Sequence, residues 1–155
     1  MYSFRNDYSE GAHPKVLQAL ADTNLRQTVG YGMDPCCQAA ADTIRRLCAA
    51  PDAAVHFLVG GTQVNLVTID AFLQSYEAVV AAQTGHVSTH ETGAIEATGH
   101  KVCTVESPDG KLTPALVESV LAGHNGTEHM VLPRIVYISD TTEIGTVYTR
   151  AELAL

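Results

Sequence analysis

Val55-His56-Phe57-Leu58-Val59-Gly60-Gly61-Thr62-Gln63-Val64-Asn65 is the stretch on which the fold turns. Its first five residues are mostly apolar and predict a strand. Gly60-Gly61-Thr62 predicts a tight turn, and the run from Leu66 to Leu73 predicts a helix continuing to about Ser75. A strand feeding a helix through such a turn gathers free backbone N–H groups at the positive end of a helix dipole. That arrangement binds an anion, most often a phosphate. The glycines allow close approach, and the Thr62 hydroxyl adds a side-chain donor.

The same alternation extends outward. His13-Pro14 opens a helical run over 15–21, and Val29 to Pro35 reads as a loop. A second helix is predicted over 38–50, with Ala41, Ile44, Leu47 and Cys48 on one face. Further strands are predicted at 78–81, 100–105 and 134–138, with helices at 90–97, from Thr113-Pro114, and from Thr149. Four strands interleaved with helices predict an α/β fold with a mostly parallel sheet. Thr84-Gly85-His86 reads as a loop, His13 as a surface loop residue, and Glu91 and Glu96 as members of a solvated helix face.

The 155 residues suffice for one domain with a real core. A net charge of −8 disfavours nucleic acid as a partner, because phosphate neutralisation needs clustered Lys and Arg. No apolar run approaches the ~18 residues of a membrane span, and the polar N-terminus shows no signal core, so the expected compartment is the cytoplasm. Cys36, Cys37, Cys48 and Cys103 have neither zinc nor disulfide spacing and are expected as free, buried or partly buried thiols. His86, His90 and Glu91 do not follow the His-Glu-x-x-His order, so no metal is assigned.

Several segments together resemble the N-terminal half of the threonine aldolase and β-eliminating lyase family, which uses pyridoxal 5'-phosphate (PLP) on the aspartate aminotransferase-like fold (fold type I). Arg5-Asn6-Asp7, Tyr31-Gly32-Met33-Asp34-Pro35, Gly61-Thr62-Gln63-Val64-Asn65, Gly85-His86 and Ser139-Asp140-Thr141-Thr142-Glu143 carry the resemblance, in the family's order. It implies that Gly61, Thr62 and Gln63 hold the PLP phosphate. It implies that His86 stacks on the pyridine ring and serves as a catalytic residue. Asn6, Tyr31 and His90 would face the amino-acid substrate, Tyr31 from a loop that a neighbouring subunit shares. Asn6 stands where the family commonly has Ser, and Thr142 where it has a His.

The resemblance also implies a Schiff-base Lys, an Asp for the ring nitrogen and a carboxylate-binding Arg, all downstream of Leu155. The expectation is therefore an N-terminal portion of a PLP-dependent lyase, inactive alone. Residues 1–50 would form an N-terminal arm with helices, and residues 51–155 part of the cofactor-binding domain. The implied reaction is cleavage of a β-hydroxy-amino acid to glycine and an aldehyde, in a homodimer or homotetramer. The alternatives are β-elimination and a non-catalytic binding or assembly module. A nucleotide site is excluded, since neither Gly-x-Gly-x-x-Gly nor a Walker-type Lys follows the first apolar run.

Overall fold

The computed structural model describes residues 3, 6, 8–124 and 126–154. Arg5 and Asp7 of the first motif lie outside the described residues. The chain divides into two compact units, Met1–Phe57 and Leu58–Leu155.

In the first unit, α1 spans Pro14–Thr23 and α2 spans Pro35–Leu47. Each begins with proline in its first turn, where no N–H is needed. His13 is not a bare loop residue: it caps α1, its Nδ1 accepting from Lys15 N at 3.2 Å. α2 starts three residues before the predicted Gln38, because Asp34 Oδ1 accepts from Cys36 N and Cys37 N at 2.8 and 3.0 Å. It stops at Leu47 rather than residue 50, and Ala49 then takes a positive φ of 50°. Tyr31 and Gly32 form a reversal with φ of 64° and 73°.

The second unit is built on a three-stranded parallel sheet in the order β2-β1-β3. β1 is Glu77–Ala82, β2 is Lys101–Val105 and β3 is Leu132–Val136. The helices are α3 Gly61–Phe72, α4 His86–Thr89, α5 Ala94–Ala97, α6 Pro114–Gly123 and α7 Arg150–Leu153. β1 lies in the middle and is buried on both faces, which explains its unbroken apolar run. Val79 and Ala81 pack with Ile69, Leu73, Val87 and Ile95. Ala78, Val80 and Ala82 face the other way, toward Cys103 and Leu112, with Val117 and Val120 of α6 against them. Successive β1 residues therefore join two helical layers to the sheet.

Four expectations need correction. Residues 55–59 carry no sheet ladder, so the sheet has three strands among the described residues rather than four. An apolar run needs a neighbouring strand to become one, and Val59 stays 96% exposed. The helix over 90–97 is split, because Thr92 and Gly93 adopt φ of 55° and 75°. Its first residues instead close α4, which begins at His86. β3 begins two residues earlier than predicted, where Leu132 N donates to Tyr76 O at 3.0 Å. The register then slips between Ala78↔Pro133 and Val79↔Ile135, next to a proline that has no N–H to give. Of the cysteines, Cys36 and Cys48 are exposed rather than buried, and all four are free.

Candidate active site

α3 begins at Gly61 itself, not at Leu66, so Gly61, Thr62 and Gln63 form its first turn. Val64 N is the first amide to reach a carbonyl, Gly60 O at 2.9 Å. The N–H groups of Gly61, Thr62 and Gln63 have no partner among the described residues, and Gly60 provides no side-chain cap. Most helices satisfy these donors with a Ser, Thr or Asp cap; α2 and α6 of this chain do so. A Cβ added at Gly60 or Gly61 would meet nothing within 4 Å, so the approach to the three donors is open. The Gln63 side chain does not turn into this cradle. Its Oε1 accepts from Val59 N at 2.8 Å and pins the incoming chain, leaving Gln63 to act through its backbone.

His86 sits at the carboxyl end of β1, the edge where parallel α/β sheets bind ligands. Gly85 makes the connection tight: a Cβ there would lie 3.0 Å from Ala82 O. His86 Nδ1 lies 2.7 Å from Glu91 Oε1. Asn65 Nδ2 donates to the same oxygen at 2.5 Å, so Glu91 joins α3 to α4. The His86 side chain is 38% exposed, whereas the Glu91 carboxyl is fully enclosed. His90 follows one turn later. Its ring centroid is 5.6 Å from that of His86 in an edge-on arrangement, and its Nε2 is 3.7 Å from Glu143 Oε2. The loops after β1 and β3 thus meet at this edge.

Glu91 is the group that sequence reasoning misplaced. The pattern places it on a solvated face, yet it is buried, while Glu96 is exposed as that pattern predicts. An acid directly before Thr92-Gly93 looks like turn chemistry, and its Asn65 partner lies 26 residues away.

The beta-eliminating lyase family matches residues 4–155. The chain belongs to this family. Two relatives are low specificity L-threonine aldolases, from a Pseudomonas strain and from Pseudomonas aeruginosa, 36% and 35% identical over 152 residues. A solved threonine aldolase from Leishmania major is 57% identical and superposes with a TM-score of 0.94 over 99% of this chain. The chain spans 43% of the length of the two curated relatives and 44% of the Leishmania chain. The family's α/β fold with a parallel sheet is therefore the fold of this chain.

Within the second unit, the first turn of α3 and His86 are tied through Asn65 and Glu91. Thr142 is buried, and its hydroxyl is engaged with Thr146 Oγ1 at 2.7 Å and Thr146 N at 3.1 Å. Asn6 and Tyr31 belong to the first unit. Asn6 Oδ1 accepts from Tyr8 N and Ser9 Oγ, and Tyr31 is fully exposed.

Proposed function

We propose that the complete protein is a PLP-dependent amino-acid lyase of the threonine aldolase type. It would cleave a β-hydroxy-amino acid to glycine and an aldehyde. The observation that carries this is the uncapped first turn of α3, with three unpartnered N–H groups one helical turn from the Asn65–Glu91–His86 chain. An uncapped, open turn with the Thr62 hydroxyl beside it fits a phosphate monoester. Bound PLP would supply an electron sink that lets a bond at the amino-acid Cα break.

The residues of this chain divide the remaining work. Gly61, Thr62 and Gln63 would hold the phosphate, and His86 would cover the ring. His86 Nε2, the ring nitrogen not paired with Glu91, accepts the β-hydroxyl proton as the Cα–Cβ bond breaks and the aldehyde leaves. His90 lines the substrate side with Glu143 behind it. The Thr142 hydroxyl is already engaged with Thr146, so within the second unit substrate recognition falls on the two histidines; the resemblance implies further substrate contacts for Asn6 and Tyr31. The Lys that anchors PLP lies outside this chain, and we place the whole protein in the cytoplasm as a homodimer or homotetramer. Among the described residues no helix is long and apolar enough to cross a membrane.

The test uses the full-length protein with PLP and threonine. Covalent fixation of PLP by borohydride, with glycine and acetaldehyde as products, supports the reading. A 2-oxo acid and ammonia would identify β-elimination instead, and no fixation at all would identify a non-catalytic module.

A further inference from the structure

Glu91 combines two properties rarely found together. It is 5% exposed, and its Oε2 is buried with no hydrogen-bond partner among the described residues. Burying a carboxyl group is costly unless it is paired, and apolar side chains often replace such groups without loss of stability. Stability alone therefore explains this residue poorly. What Glu91 does have is a single oxygen shared by two donors, Asn65 Nδ2 and His86 Nδ1.

Resting on the function proposed above, we infer that Glu91 is a positioning residue. It holds the His86 imidazole in the Nδ1–H tautomer and fixes its ring to the helix that carries the phosphate cradle. The asparagine amide marks Glu91 Oε1 as an acceptor, so the ring nitrogen 2.7 Å from it is the one that bears hydrogen. Nε2 is then left with its lone pair, on a side chain that is 38% exposed. That is the state required to accept a proton from a substrate hydroxyl. Asn65 lies four residues after Gly61 on the same helix, so cradle and ring orientation move together. The unpartnered Oε2 leaves the carboxyl no competing donor that would rotate it away from His86.

The tautomer can be read without cofactor. In full-length apo-protein, the imidazole ¹⁵N resonances of His86, assigned by their loss in His86→Gln, should show hydrogen on Nδ1. Glu91→Ala should lose that preference, while Glu91→Gln, whose amide oxygen can take the same place, should keep it. With PLP bound, Glu91→Ala should lower kcat on the order of 10²-fold with little change in KM. Its PLP affinity should fall far less than its kcat, because the cradle donors are intact. Hydrogen on Nε2 in the wild-type protein would overturn the inference without recourse to any variant. So would a Glu91→Ala protein with an unchanged tautomer. Failure of the lyase reading shows separately, as a wild-type protein that takes up no PLP; the tautomer shift would still uphold the Glu91–His86 link.

Discussion

Thr62 occupies the second position of a helix whose first three N–H groups have no partner among the described residues, and its hydroxyl is a side-chain donor in that turn. Thr62→Val keeps the shape and the β-branch and removes only that donor. A hydrogen bond to a charged acceptor contributes about 1.5–3 kcal/mol, so the apparent Kd for PLP should rise roughly 10- to 100-fold. Fluorescence titration of the full-length protein checks this; an unchanged Kd would remove Thr62 from the cradle. Ile95 tests the core in the same way. It is fully buried against Val79 and Val87, and Ile95→Ala should cost about 2–5 kcal/mol, read as a lower urea midpoint at constant slope. The glycine turn leading into α3 was legible in the sequence because Gly-Gly-Thr between an apolar run and a helical run is a local pattern. The burial of Glu91 was not. Its environment is set by Asn65 and by a left-handed break at Thr92 and Gly93, and no window along the chain contains the whole of that arrangement.

Elements reveal the same division between local and distant causes. β1 was read within a residue at either end, since a run buried on both faces needs only its own apolar residues to announce it. Residues 55–59 carry an equally apolar run and form no strand, because strands are made by neighbours as well as by composition. α7 was legible from Thr149, and the structure shows why so short a helix forms. Thr149 and Glu152 close a capping box, and Lys111 Nζ reaches the Glu152 carboxyl at 2.9 and 3.1 Å. The Thr149 backbone N–H, followed by Lys111 and the Thr149 hydroxyl, lowers the Glu152 pKa to about 2. A depressed acid contributes stability above its unfolded value and loses it as pH falls through the folded value. The Glu152 contacts should therefore persist at pH 4.5, where an unperturbed Glu is half protonated, and fail near pH 2. Side-chain carboxyl NMR checks the midpoint, and Lys111→Met should move it upward. A Glu152 midpoint near the ordinary value would mean that the capping box is open in solution.

For the whole molecule, the decisive observation is how much apolar surface the two units leave uncovered. α1 has no buried residue, although Val16, Leu17 and Leu20 line one side of it at 51%, 54% and 60% exposure. In the second unit Val64 and Val67 of α3 are 42% and 41% exposed, and Phe72 is 75% exposed. Single exposed apolar residues are ordinary, but stripes at helical spacing are surfaces that bind something. Such stripes lead to one expectation for the 155-residue chain taken alone: at micromolar concentration it should self-associate. Sedimentation velocity should show species larger than 16.5 kDa, growing with concentration. Leu17→Lys with Leu20→Lys should shift that distribution toward monomer, since each charge makes the buried stripe costly to desolvate. In the full-length protein the same pair should lower stability or break the assembly if α1 is covered there. A 155-residue chain that sediments as a monomer at every concentration would mean that these stripes are tolerated in water, and the case for an obligatory covering partner would fall with it.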